Sequence, residues 1–303
     1  MAYAPVTAIV ESVEKISPNF MRVVFSGPEM KIVGSTSPVF DQRIKLIFPN
    51  PGKDLPTFPT TGDWYPNWLA MPEDSRGVMR TYSIRSLNMG PTFTSLTVDF
   101  VLHTEPGLTG PAATWAMHAQ EGDKLLILAP RLDAEAQGGI EFDHGAAQCI
   151  VLAGDETAAP AIARILEDLA ASDNSHITGT ALIEVPEKDD ILPIAGPAGI
   201  SIKWLPRQGR AHGERLLESL DLQAKLTAST PADGDTLLWE TPAYSALGEP
   251  VAAASTAHGE YYWIAGESGV VTTIRRALIK EKGLDRSQVA FMGYWKRGIA
   301  MRG

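Results

Sequence analysis

The sequence predicts a small antiparallel β-barrel followed by a parallel-sheet α/β domain, divided between residues 146 and 147. Three observations predict it. Short strand-like runs separated by turn residues fill the first 130 residues. Continuous apolar runs alternating with helical patterns fill the rest, as in a parallel sheet covered on both faces. Between them lies a Gly/Ala-rich, acidic stretch from Asp133 to Gln148. A length of 303 residues fits two such domains.

In the first half, Val6 to Val13 and Phe20 to Phe25 are rich in β-branched and apolar residues, with Ser17-Pro18-Asn19 between them. Arg43 to Phe48 alternates, placing Ile44, Leu46 and Phe48 on one face. Leu96 to His103 and Lys124 to Leu128 are further strands. A helix-like interruption spans Pro111 to His118, and a long loop over 51–78 carries Trp64, Tyr65 and Trp68, aromatics that pack such a loop down. In the second half, the run Cys149 to Ala153 precedes a helical pattern of Ile162, Ile165, Leu166 and Leu169. Thr180 to Val185, Ser201 to Leu205, Thr236 to Trp239 and Tyr261 to Ala265 read as strands. A helix follows with Val271, Ile274 and Leu278 on its core face.

Composition narrows the function classes. No run of about 18 apolar residues exists, so membrane insertion is not expected. No signal peptide is visible at Met1 to Pro5, and the expected compartment is the cytoplasm. The single cysteine, Cys149, leaves no internal disulfide, thiolate zinc site or iron–sulfur cluster. The six histidines show no ligand spacing, so no intrinsic metal is expected. A net charge of −10 argues against nucleic acid. Residues 267 to 303 run against that charge, with eight Lys/Arg and three acids, either a solvated helix face or a basic rim for an anionic ligand. Nothing demands a dimer, and a monomer is expected.

Three segments carry chemistry. In Arg80-Thr81-Tyr82-Ser83-Ile84-Arg85, an extended strand puts Arg80 and Tyr82 on one face and Thr81, Ser83 and Arg85 on the other. A flavin dinucleotide needs a cation for its pyrophosphate, an aromatic for its ring or ribityl chain, and a hydroxyl near N5. One strand can supply all three, although alone the pattern also describes a solvated strand. Second, Asp99 to His103 ends a strand and leads through Gly107 and Gly110 into Pro111-Ala112-Ala113-Thr114-Trp115. Proline and small residues at a helix start leave N–H groups open to an anion. Third, Gly154-Asp155-Glu156-Thr157-Ala158-Ala159-Pro160 runs from a buried strand into a helix, the place of a nucleotide at the carboxyl end of a parallel sheet. Asp155 and Glu156 there also read as helix caps.

These segments, with Ala265-Gly-Glu267 and Gly293-Tyr-Trp-Lys-Arg-Gly298, resemble the siderophore-interacting protein family, FAD-dependent ferric-siderophore reductases of the ferredoxin-reductase-like superfamily. Six motifs, counting Asp99 to His103 and Gly110 to Ala116 separately, stand in family order over nearly the whole chain. Ser83 stands where Thr is frequent and Ala159 where a larger apolar residue is frequent, and both keep the chemistry. The resemblance implies a six-stranded FAD-binding barrel over residues 1–146 and an NAD(P)-binding domain over 147–303. It places Arg80 at the FAD pyrophosphate, Tyr82 at the ribityl and ring, Ser83 near N5, and Thr81 on the same strand. Asp99, Phe100, Val101 and His103 would line the flavin, and Gly110, Ala112, Ala113 and Thr114 the helix-start anion site. Asp155, Glu156 and Thr157, with Gly266 and Glu267, would meet the nicotinamide. Tyr294 and Trp295 would pack beside the flavin.

The implied reaction passes a hydride from NADPH or NADH to FAD, then single electrons to Fe(III) in a siderophore, with no side chain as essential acid or base. Lys45 and Arg131, at positions the family keeps basic, with Lys296, Arg297 and Arg302, are the expected contacts for an anionic ferric siderophore. Glu184, ending a strand, suits a ribose 2′-OH and NADH, whereas Arg207 and Arg210 suit a 2′-phosphate. The arginines and the resemblance favour NADPH. A general flavin or ferredoxin-type reductase, a non-enzymatic ferric-siderophore-binding protein and an interaction module without flavin are the alternatives.

Overall fold

The computed structural model describes residues 3–59, 64–102, 109–134, 138–224, 226, 237–242, 244–245 and 259–298. His103, Gly107 and Arg302 lie outside them. Two compact units result, one within Met1–Ile140 and one within Glu141–Met301. The segment after 140 belongs with the second because Phe142 packs edge-on against Tyr261, whose hydroxyl accepts from the Asp143 N–H at 3.3 Å.

In the first unit the elements are β1 (Tyr3–Ser17), β2 (Phe20–Ser26), β3 (Arg43–Phe48), α1 (Trp64–Leu69), β4 (Val78–Ser83), β5 (Ser86–Met89), β6 (Thr94–Val101), α2 (Pro111–His118) and β7 (Lys124–Pro130). The strands form one sheet in the order β4-β3-β7-β1-β2-β6-β5, antiparallel throughout. Its end strands β4 and β5 follow one another in the chain. The corner between them bonds to both sides: Ile84 N–H donates to Gln42 at 3.0 Å and Arg85 N–H to Thr97 at 2.9 Å. That corner closes the sheet into a barrel. The sheet has seven strands rather than six because Ser86–Met89, which lacks β-branched residues, is drawn into strand by pairing with β6.

The period-2 alternation decides the barrel core. Ile44, Leu46 and Phe48 point inward with Val23, Phe25, Leu96, Val98 and Phe100, all essentially inaccessible. The first and last turns of α2 join them through Ala112 and Ala116, and Trp115 lies against Phe25, Phe48 and Phe100. On the other face, Ile47, Met79, Leu126 and Leu128 are covered by Trp68 of α1, with Trp64 beside it. The loop aromatics therefore do pack the loop down.

The second unit contains β8 (Cys149–Gly154), α3 (Ala159–Ala171), β9 (Thr178–Val185), β10 (Ile200–Pro206), α4 (Glu214–Ser219), β11 (Trp239–Thr241), β12 (Tyr244–Ser245), β13 (Glu260–Glu267), α5 (Ser268–Arg276) and β14 (Val289–Trp295). Strands β10-β9-β8-β13-β14 are parallel, and β11 and β12 extend the sheet antiparallel. Ile162, Ile165, Leu166 and Leu169 bury one stripe of α3. Val271 and Ile274 of α5, with Leu278 in the π-helical turn Ala277–Glu281, bury another. The strand expected over Thr236 to Trp239 begins at Trp239, and residue 236 lies outside the described residues. No described helix is long and apolar enough to cross a membrane.

The basic C-terminal stretch is divided between the interior and the surface of the unit. Arg275 donates to the buried Glu240 at 2.7 Å, Arg286 lies 3.3 Å from the same carboxylate, and Lys296 is buried. Arg276, Lys280, Lys282 and Arg297 remain exposed.

Candidate functional site

On the barrel unit, β4 alternates as expected. Tyr82 packs on the core side, 4.7 Å from Phe100 between ring centroids, across the seam that the corner closes. Burial holds its phenol well above the usual range. Arg80 shares that side and is half-buried. Its Nη1 donates to the Met79 carbonyl at 2.7 Å, and among the described residues no carboxylate pairs with it. Burial pulls its guanidinium below the ordinary value, the condition that an anion would relieve. Thr81 and Ser83 take the opposite side, in register with Lys45 and Arg43 of β3. Lys45 Nζ donates to Thr81 Oγ1 at 2.6 Å, and burial, with the nearby Arg43, lowers its pKa. Ser83 is nearly buried.

The rest of the predicted barrel residues divide. Phe100 is fully buried core, and Val101 ends β6 half-exposed. Asp99 is spent on the barrel itself: Arg22 donates twice, at 2.7 and 2.8 Å, and Arg85 lies 3.8 Å away. Gly110 precedes α2 with no side-chain cap, Pro111 occupies the first turn, and the Thr114 hydroxyl turns back to the Gly110 carbonyl at 3.1 Å. Ala112 and Ala113 are buried. Arg131 is held in a bidentate pair by Asp133, at 2.8 and 2.7 Å.

An unpaired half-buried cation, an aromatic beside it, a nearly buried hydroxyl on the same strand and an uncapped helix start fit the demands of a flavin dinucleotide. Arg80, Tyr82, Ser83 and the start of α2 are the residues that would hold it.

In the second unit Asp155 is the hub. It follows β8 and is 1% exposed. One oxygen accepts from the Thr157 N–H at 2.9 Å and hydroxyl at 2.5 Å. The other accepts from His212 Nε2 at 3.0 Å, Glu267 N–H at 2.7 Å and Trp295 Nε1 at 2.9 Å. Burial opposes its ionisation, but these donors, His212 foremost, hold it well below the usual carboxylate range. His212, edge-on to Trp295 at 5.3 Å, is raised in turn: Asp155 outweighs burial. Thus one carboxylate gathers the carboxyl ends of β8, β13 and β14, where nucleotides bind in open α/β sheets.

Glycine makes this approach possible at two points. A Cβ on Gly266 (φ +140°) would lie 2.6 Å from Asp155 Oδ2, and one on Gly154 would lie 2.6 Å from the Ala265 carbonyl. Neither Asp155 nor Glu156 caps α3, whose N-cap is Ala158 without a side-chain bond. Glu156, 1% exposed, instead accepts from both Nη atoms of Arg207, at 2.7 and 3.0 Å. Glu267 caps α5 through Val270 N–H at 2.9 Å and accepts from Arg297 N–H at 3.3 Å. Asp155, Glu156 and His212 offer atoms within 4.8 Å of one another, but each carboxylate oxygen already accepts a hydrogen bond, so the grouping is satisfied without an ion.

His212 was invisible as a site residue in the sequence, where it reads as a lone histidine. No local signal finds it, because its partner is 57 positions away.

Comparison with known proteins identifies the two halves of the chain. Residues 9–134 match the family model of the siderophore-interacting FAD-binding domain, and residues 147–298 that of the siderophore-interacting protein. Ferric vibriobactin reductase ViuB of Vibrio cholerae is 28% identical over 93% of this chain and 86% of that protein. An NADPH-dependent ferric-chelate reductase of Escherichia coli is 28% identical over 93% and 89%. The crystal structure of a siderophore utilization protein from T. fusca superposes with a TM-score of 0.70 at 28% identity, covering 100% of this chain and 97% of that one.

Proposed function

Because the chain belongs to the siderophore-interacting protein family, with the family's FAD-binding domain in its first half, we propose that it is an NAD(P)H-dependent flavoenzyme that reduces ferric siderophores and releases Fe(II). The observation that carries this reading is Arg80, a half-buried guanidinium without a carboxylate partner among the described residues, on the strand that presents Tyr82 and Ser83. The reductase names of the relatives at 28% identity support it.

The chemistry that a bound FAD supplies is acceptance of a hydride and delivery of single electrons. This chain's residues do the rest. Arg80 and the N–H groups at the start of α2 would hold the pyrophosphate. Tyr82, fixed against Phe100, orients the ring system. Ser83 would offer its hydroxyl as a hydrogen-bond partner to the ring system. Asp155 holds Glu267 and Trp295 together where the nicotinamide would approach. Lys45 attracts an anionic chelate, whereas Arg131 is neutralised by Asp133. No side chain needs to move a proton for the hydride step, and Fe(III), once reduced, is held less tightly by hard oxygen donors.

The purified protein is expected to carry flavin absorbance and to oxidise NADH or NADPH with a ferric siderophore while an Fe(II)-specific chromophore develops colour. The Ser83→Ala variant should retain flavin but lose about tenfold in hydride transfer, the worth of one hydrogen bond. A colourless protein sinks the enzyme reading. Oxidation without Fe(II) turns it into a general flavin reductase.

A further inference from the structure

The order β10-β9-β8-β13-β14 is 3-2-1-4-5 when β8 is counted first. In sheets of this order the nucleotide lies over the carboxyl ends of the strands, an acid near the end of the second strand reads the ribose 2′-OH, and nearby arginines accept a 2′-phosphate. The equivalent positions here are the end of β9, where Glu184 stands, and the turn after β10, whose Arg207 and Arg210 are both engaged by glutamates.

Glu184, near the end of β9, is wholly buried. Its Oε1 accepts from Gly213 N–H at 2.7 Å and Arg207 Nη1 at 3.3 Å, and its Oε2 from Leu216 N–H at 3.4 Å. It anchors the 207–216 segment and has no surface for a ribose. Arg207 spans Glu156 and Glu184. Burial opposes its charge, but the two Glu156 bonds and the neighbouring carboxylates more than offset that. Arg210 is forked between two acids of α4. Its Nε and Nη2 meet Glu214 at 3.1 and 2.5 Å, its Nη1 meets Glu218 at 2.9 Å, and Nη2 also contacts Glu218. Exposed Glu187 and Asp189 flank the one exposed lysine there, Lys188.

We propose that this end of the sheet selects against a 2′-phosphate, so that the enzyme prefers NADH, and that Glu214 and Glu218 determine the preference by occupying Arg210. A phosphate dianion would have to displace two carboxylates from Arg210 and face the remaining acids, whereas a ribose 2′-OH meets no such opposition. The specificity expected from the arginines in the sequence is thereby reversed: both are present, and both are spent.

This inference rests on the nicotinamide reading but not on iron chemistry, so its test uses adenosine fragments. Calorimetry on the flavin-loaded protein would compare 5′-AMP with 2′-phospho-AMP. Native protein should bind 5′-AMP more tightly, by about tenfold or more, the scale of one charge-assisted contact. The double variant E214Q/E218Q should move the ratio about tenfold toward the 2′-phosphate, and adding R210A should erase that gain. Tighter native binding of 2′-phospho-AMP, a ratio unmoved by E214Q/E218Q, or binding of neither fragment would each overturn the proposal. Failure of ferric reduction, with the binding pattern intact, would instead strike only at the proposed substrate.

Discussion

A single carboxylate organises the second unit's candidate site. Asp155 accepts five hydrogen bonds from four residues, three of them 57, 112 and 140 positions distant. Asp155→Asn keeps the shape but loses the charge and turns one acceptor into a donor facing donors. Leaving a buried partner uncompensated costs about 3–5 kcal/mol, and thermal unfolding should register it. The pH dependence gives the sign. Asp155 is depressed, so its contribution is present above its ordinary pKa near 4 and lost as pH falls below it. His212 is raised, so its contribution is full below its ordinary pKa near 6.5 and fades as pH rises through the folded value. The stability gap between native protein and Asp155→Asn should therefore be widest between about pH 4 and 6.5 and narrow on the alkaline side. A gap that is flat from pH 5 to 9 would mean that the Asp155–His212 pair carries no linked charge. The resemblance places Asp155 at the nicotinamide site and its position also suits a helix cap, but its bonding is not legible in the sequence, since its partners meet only through the parallel pairing of β8, β13 and β14.

At the scale of elements, local periodicity and long-range pairing divide what could be foreseen. The alternation in β3 and the helical stripe of α3 are strong local signals, and both bury the residues they predict. Strand β5 has no such signal: Ser-Leu-Asn-Met becomes strand because the corner at Ile84 and Arg85 presents it to β6. The expected FAD strand β4 keeps its alternation, and the same corner sets the seam across which Tyr82 meets Phe100. Helix α2 is the other support of that seam, through Trp115 against Phe25, Phe48 and Phe100. Trp115→Ala would open a cavity there and should cost about 3–5 kcal/mol. Because the same cavity loosens the ring that backs Tyr82, flavin release should quicken with it. Stability loss without faster flavin release would separate α2 packing from the flavin strand.

The whole molecule carries a charge of −10, and its arginines are mostly committed to its own acids. Arg22 serves Asp99, Arg131 serves Asp133, Arg207 and Arg210 serve four glutamates, and Arg275 and Arg286 serve Glu240. The field at a distance is therefore that of an acid, and a polyanionic ferric chelate approaches against it. Close contacts such as Lys45 oppose that field, and Lys45 is itself half-buried beside Thr81. Salt distinguishes the two ranges. At about 0.1 M the screening length is about 10 Å, so distant acids are silenced before a contact cation is. Raising ionic strength from about 20 to 150 mM should thus lower the KM for a polyanionic ferric chelate and leave that for a neutral one unmoved. The reversal K45E should raise the KM of the polyanion at every salt concentration, because it turns a short-range attraction into a repulsion while deepening the background. A KM for the native protein that climbs steadily with salt would mean that a cationic surface, not an acidic one, governs the encounter.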